Sequence, residues 1–188
     1  MRKLIVSTLV TLDGVIQDPG GFGETMQGGW GNQYFTEDSQ QEAYEHLMAA
    51  DYFLCGRITY ELMSRAWGSI KRGPYLERMN SIPKLVASRT LTEPLQWNAK
   101  LIRGDVPAEI AKVKDEPGKD IVMYGSASLM QTLMKHELID EYRLCIHPIV
   151  LGSGRRLFSE NGPAAKLQLV GTKTTSSGVV IMTYHPGE

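Results

Sequence analysis

Asp120-Ile-Val-Met-Tyr-Gly-Ser-Ala-Ser-Leu129 is the stretch that decides the fold. Its apolar run, Ile121 to Tyr124, stops at Gly125 and gives way to a helical pattern. Leu129, Leu133 and Met134 then return at three- and four-residue spacing. A buried strand that turns through glycine into a helix leaves several backbone N–H groups without partners at the helix start. With the helix dipole, those groups form an anion site, most often for a phosphate. Gly125, Ser126, Ala127, Ser128 and Leu129 are therefore a candidate cradle, with two serine hydroxyls as extra donors. The same residues also read as an ordinary strand-to-helix turn closed by a serine cap.

The strand-to-helix pattern occurs again at Tyr52 to Cys55, followed by Gly56-Arg-Ile-Thr-Tyr-Glu-Leu-Met63. Leu4 to Val10 is a near-continuous apolar run, as expected for a strand covered on both faces, and it ends in the Asp13-Gly14 turn. Lys84 to Ser88 forms another strand and ends in Arg89-Thr90. Asp38 with Gln41 predicts a capping box for a helix carrying Ala43, Tyr44, Leu47 and Met48. A short helix is expected at Tyr75 to Ser81, and another after Asp105, with Pro107 in its first turn. Tyr142, Leu144 and Ile146 alternate as a strand. Leu167 to Thr174 and Val179 to Tyr184, joined at Ser176-Ser-Gly178, read as a C-terminal hairpin. Alternating strands and helices with an antiparallel pair at the end give an α/β class: a mostly parallel central sheet between helices. At 188 residues, without internal repeat or linker, residues 1–188 are expected to form one domain.

Composition narrows the function classes. A formal net charge of −1 gives no footprint for nucleic acid or an anionic membrane, so any anion site must be local. No apolar run approaches the ~20 residues of a spanning helix. Two cysteines, Cys55 and Cys145, lie in strand-like runs, and four scattered histidines show no metal-ligand spacing. A reduced cytoplasmic protein with no structural metal is the expectation. Residues 17–33 are loop-like, glycine-rich and carry Phe22 and Trp30; this segment reads either as a binding lid or as plain surface.

Three strand ends thus carry matching equipment: Gly125-Ser-Ala-Ser128, Gly56-Arg57-Ile-Thr59 and Ser88-Arg89-Thr90. In open α/β sheets, ligands collect at the carboxyl ends of parallel strands. Two facing helix starts could hold a pyrophosphate, with Arg57 adding charge and Thr59 a hydroxyl. Ser88, Arg89 and Thr90 combine hydroxyls with a guanidinium fork, suited to a phosphate monoester such as the one that separates NADPH from NADH. No strand is followed by a Rossmann glycine fingerprint.

Gly56-Arg-Ile-Thr-Tyr-Glu61 resembles the segment with which dihydrofolate reductases start a helix over the NADPH phosphates. Ser88-Arg-Thr90 matches the position where those enzymes grip the 2′-phosphate. Thr11-Leu-Asp-Gly-Val-Ile16, Gly125-Ser126, Leu138-Ile-Asp-Glu141 and Pro148-Ile-Val-Leu-Gly-Ser-Gly154 resemble a related branch, the reductase domain of riboflavin biosynthesis. The resemblance implies a three-layer α/β/α fold of the dihydrofolate-reductase type, NADPH as hydride donor, and a homodimer. Val10, Thr11 and Val15 would then line the nicotinamide, with Asp13 the best polar candidate beside it. An Asp-Gly turn residue capping backbone N–H groups is the plainer reading of Asp13. The substrate half matches less well. The acid-bearing helix offers Glu37, Asp38, Glu42 and Glu45, each also readable as a cap or a solvated face, and Leu62-Met63-Ser64 stands where the riboflavin reductases carry Asp-Asp-Pro. The function implied is an NADPH-dependent oxidoreductase acting on a small pteridine- or pyrimidine-like heterocycle or a carbonyl or imine. The alternative is an NADPH-binding sensor without turnover.

Overall fold

The longest apolar run becomes the middle of the sheet. β1 (Leu4–Thr11) is flanked in parallel by β5 (Asp120–Tyr124) and β6 (Glu141–His147). Beyond β5 lie β2 (Ala50–Gly56), β3 (Lys84–Ala87) and β4 (Ala99–Ile102), all parallel to it. Beyond β6 the direction reverses in β8 (Val180–Pro186), which pairs antiparallel with the edge strand β7 (Leu167–Thr174). The strand order is β4-β3-β2-β5-β1-β6-β8-β7. This computed structural model describes residues 1–70, 72–158, 160 and 162–187.

Successive side chains of a strand point to opposite faces, so a doubly covered strand must be apolar throughout. Leu54 and Met123 join a core with Leu4, Val6, Ile110, Met130 and Leu133. Phe53, Cys55 and Val122 join the opposite core with Leu47, Tyr60 and Met79. The first face is thus covered by α4 (Val106–Asp115) and α5 (Ala127–Lys135). The second is covered by α1 (Glu37–Met48), α2 (Arg57–Trp67) and α3 (Pro74–Ser81). These are the three layers and the mostly parallel sheet with its terminal hairpin expected above. Among the described residues, no helix is long and apolar enough to cross a membrane.

Two local expectations change. β4 carries too short an apolar signal to read from sequence, and it forms because Lys84 N–H bonds to Asn98 O (2.9 Å) and extends the ladder. Asp38 makes no capping box: Thr36 is the N-cap of α1 but its side chain caps no helix N–H, and the Asp38 carboxylate accepts from Thr36 Oγ1 and, at the hairpin turn, from Ser176 N–H. Asp105 does cap α4, accepting from Ala108 N–H at 3.1 Å.

The amino-terminal edge of the sheet is bolted by buried cations. Arg2 donates to Asp51 (2.5 Å) and to the carbonyls of Lys119 (2.6 Å) and Pro117 (2.8 Å). Gly118 adopts φ +144°, and a Cβ there would lie 2.3 Å from the Arg2 guanidinium, so only glycine lets the two meet. Lys114 Nζ bonds the Leu138 carbonyl and Asp140, both at 2.7 Å, while Asp140 accepts from Leu4 N–H. Replacing Arg2 with Met leaves two carbonyls and a carboxylate without their donor. Urea unfolding should show a stability loss of about 2–3 kcal/mol at unchanged slope.

Candidate functional site

Parallel register places the three predicted strand ends on one rim. Gly56 of β2 pairs with Ala87 of β3, and Leu54 of β2 pairs with Met123 of β5. Gly125, Gly56 and Ser88 therefore leave three neighbouring strands on the same side, spread over about 10 Å at the usual strand spacing. Ser126 stands at the N-cap of α5 in the left-handed region (φ 59°, ψ 59°), directly after Gly125 at φ 58°. It does not cap its own helix. Its hydroxyl crosses to α2, accepting from Gly56 N–H and bonding Thr59 Oγ1, each at 2.8 Å. A Cβ at Gly56 would come within 3.2 Å of Ser126 Oγ, so glycine keeps this crossing open. Neither α2 nor α5 has a side-chain cap, and the first N–H groups of both point from one place.

The other predicted cradle residues take different parts. Ser128 is exposed in the first turn of α5, whereas the Ala127 and Leu129 side chains enter the core and leave only backbone N–H groups for a ligand. Arg57 lies along α2, paired with Glu61 at 2.9 Å. Ser88 is buried, and its hydroxyl accepts from Thr90 N–H (3.2 Å) and Leu91 N–H (3.1 Å), shaping the turn. That turn holds Arg89 and Thr90 exposed, and the Arg89 guanidinium has no partner among the described residues.

Val10 faces the core shared with α5, and Val15 is buried in a bridge with Arg156. Thr11 Oγ1 donates to Asp13 (2.6 Å) and accepts from Val15 N–H (2.9 Å). The Asp13 carboxylate also takes Gly152 N–H (2.8 Å) and Leu151 N–H (3.2 Å). The Thr11 hydroxyl above all, helped by those two N–H groups, holds the Asp13 pKa down at about 2. Asp13 is thus a fixed carboxylate clasping residues 151–152 to the turn. These are the bonds expected of a turn residue that caps backbone N–H groups.

A cavity of about 630 Å³ lies beside the paired helix starts, with Gly125, Ser126, Ile58 and Thr59 in its lining. Its floor is β1, β5 and β6, and its roof is α1 with the glycine-rich loop. That loop is built around one carboxylate. Buried Asp18 accepts from the N–H groups of Phe22 (2.5 Å), Glu24 (2.9 Å) and Thr25 (3.2 Å). Phe22 packs edge-on to Trp67 of α2, and Trp30 packs on His147 of β6. Nothing local in the sequence marks Asp18 as the hub.

Part of the cavity lining is polar, and of those residues the sequence reading names only Glu42 as a candidate acid. Arg143 Nη2 bonds Glu42 at 2.7 Å, and Lys173 reaches the other oxygen of the same carboxylate. Burial works against the Glu42 charge, yet Lys173 and Arg143 outweigh it and hold the pKa below its ordinary value. His46 lies on the same helix face, stacked on Tyr124 at 6.5 Å. Desolvation, reinforced by the Arg143 charge, lowers the His46 pKa to about 4. In the sequence Glu42 reads as one of four acids on its helix, each also a cap or a solvated face, and His46 as one of four scattered histidines.

The comparisons agree with this architecture. The family model for the RibD C-terminal domain matches residues 2–181. "Uncharacterized protein YyaP" of Bacillus subtilis (strain 168) is 36% identical, over 98% of this chain and 95% of its own. A pyrimidine reductase-like protein from Corynebacterium diphtheriae shares the fold with a TM-score of 0.69 at 11% identity, covering 100% of this chain and 92% of its own. So does a dihydrofolate reductase from Enterococcus faecalis complexed with NADP(H), with a TM-score of 0.62 at 16% identity, over 99% and 97% of the two chains.

His46 gives a pH prediction with a definite sign. The folded protein keeps the imidazole neutral down to about pH 4, while an unfolded chain protonates it near 6.5. Its contribution is present above pH 6.5 and is lost as the pH falls towards 4. Over that window wild-type stability should drop by about 3 kcal/mol more than that of His46→Phe, measured by urea unfolding at each pH.

Proposed function

The chain belongs to the RibD C-terminal domain family, and from that premise we propose that it is an NADPH-dependent reductase of a small heterocyclic, carbonyl or imine substrate. One observation carries the reading: two uncapped helix starts, tied by the Ser126 hydroxyl, lie side by side in the lining of a cavity. The free N–H groups of α2 and α5 suit the two halves of a pyrophosphate. Gly56 and Gly125 keep the backbone bare at that point, and Thr59 offers its hydroxyl. Arg89 and Thr90, one strand further along the rim, suit a 2′-phosphate, with Ser88 setting their turn. The dinucleotide, when bound, supplies the hydride.

The residues of this chain then do the positioning. β1 and β5 form a flat floor on which a nicotinamide would lie, reached past Gly125. The lid, held by Asp18, keeps water from the space above it. Thr11 and Asp13 fix the 148–156 loop beside that floor rather than exchanging protons. A homodimer belongs to the same reading: β7 is an edge strand with Leu169 and Val170 exposed. Binding without turnover is the competing reading, and it is identified by tight NADPH binding with no oxidation across pteridine, pyrimidine, carbonyl and imine acceptors.

Titration calorimetry with NADPH and NADH tests the cradle. Arg89→Ala should weaken NADPH by about 10- to 100-fold, the span of a charge-assisted hydrogen bond, and NADH by less than about twofold. Equal losses for the two dinucleotides would reject the 2′-phosphate assignment. Ser126→Ala frees Gly56 N–H and unties α2 from α5, and should weaken both dinucleotides alike, by about tenfold.

A further inference from the structure

The two ends of α1 are held in different ways. At the C-terminal end Leu47 is fully buried in the core with Phe53 and Met79. Arg78 of α3 adds hydrogen bonds to the carbonyls of Leu47 (3.3 Å) and Ala50 (2.6 Å). In residues 37–45, in contrast, no side chain is buried, although this is the part of α1 that roofs the cavity. Burial of apolar surface therefore fixes one end of the helix and not the other.

Polar bonds hold the front end, and they converge on one element. Asp38 accepts from Ser176 N–H (2.6 Å) and from Ser176 Oγ (2.8 Å). Ser177 Oγ donates to the carbonyl of Tyr34, just ahead of the helix, at 2.9 Å. One turn on, Glu42 is shared by Lys173 of β7 and Arg143 of β6. Ahead of the helix, Tyr34 and Phe35 add only edge contacts to His147 and Tyr75. The hairpin turn is fixed in its own right, because Thr175 N–H bonds Val179 O (2.9 Å) and Gly178 N–H bonds Thr175 O (3.0 Å). It therefore presents Ser176 to Asp38 from a set position. Lys173 is 60% exposed and Asp38 lies at the surface, so water competes for these bonds and they release more readily than a packed face.

We propose that the β7–β8 hairpin is a latch on the roof of the cavity. Ser176 and Lys173, through Asp38 and Glu42, hold the front of α1 against the sheet, and their release swings α1 about Leu47. Both are positioning residues, acting on the cavity through α1. The dinucleotide cradle stands on α2 and α5, which this movement leaves in place. The latch is a property of the fold and does not rest on the reductase reading.

Cys145 reports the movement. It shares the α1 face of β6 with Arg143 and lines the cavity. Burial pushes its thiol up to about 11, which keeps it a poor nucleophile until the roof lifts. Cys55, fully buried in β2, is the internal control for unfolding. Iodoacetamide labelling of the full chain, without dinucleotide or acceptor, is followed by peptide mass spectrometry. The double variant Lys173→Met with Ser176→Ala should label at Cys145 at least tenfold faster than the wild type, with Cys55 unchanged within twofold. Lys173→Arg with Ser176→Thr should restore the wild-type rate. Equal Cys145 rates in the wild type and the first double variant overturn the proposal. A parallel rise at Cys55 does so too, because it marks general loosening instead of a hinge at Leu47. Hydrogen exchange on the wild type needs no variant: Ser176 lies in an exposed turn, yet Asp38 should slow exchange of its N–H at least tenfold relative to an unstructured amide. Exchange of Ser176 at the unstructured rate overturns the latch.

Discussion

A helix start can either be capped by its own side chain or be left open for a ligand, and Ser126 decides this for two helices at once. Its residue type and position are those of a cap. Because the backbone at Gly125 and Ser126 turns through two left-handed conformations in succession, the hydroxyl is carried away from α5 and onto Gly56 and Thr59 of α2. Both helices keep their first N–H groups free, and the distance between the two starts is fixed by a hydrogen bond rather than by loop length. The cavity, the rim bearing Arg89 and the order of the strands beneath are arranged around that tie.

What was legible in the sequence was whatever is encoded within a few neighbouring residues. Leu4 to Val10 announces a doubly covered strand, Gly56 and Gly125 announce strand-to-helix turns, and Ser176-Ser-Gly178 announces the hairpin that Gly178 closes at φ +83°. The fold follows from these because parallel strands joined by helices have few alternatives. The polar features that depend on distant partners were not legible. Asp13 read both as a polar candidate beside the nicotinamide and as a turn cap, and its partners at residues 151 and 152 lie 138 and 139 residues away. Glu42 looked like a solvated face until β6 and β7 brought Arg143 and Lys173 beneath it. β4 carries four residues and gains its identity from the edge of β3.

The glycine-rich loop shows the same division. Its composition predicted irregular backbone, yet the irregularity is closely specified. Asp18 gathers three N–H groups, and a Cβ at Gly28 would lie 2.1 Å from its Oδ2. A segment built on one carboxylate holds together internally and meets α2 through the Phe22–Trp67 edge contact.

The bolts formed by Arg2 and Lys114 sit at the rim opposite the cavity. One end of the barrel-less sheet therefore secures the chain while the other presents the chemistry, and the two sets of residues do not overlap. Substitutions that remodel the cavity leave the anchoring rim untouched, so descendants of this scaffold can exchange substrates without first acquiring new means of staying folded. Sequence drift concentrated around the cavity, beside steady anchoring residues, is the evolutionary pattern such a partition permits.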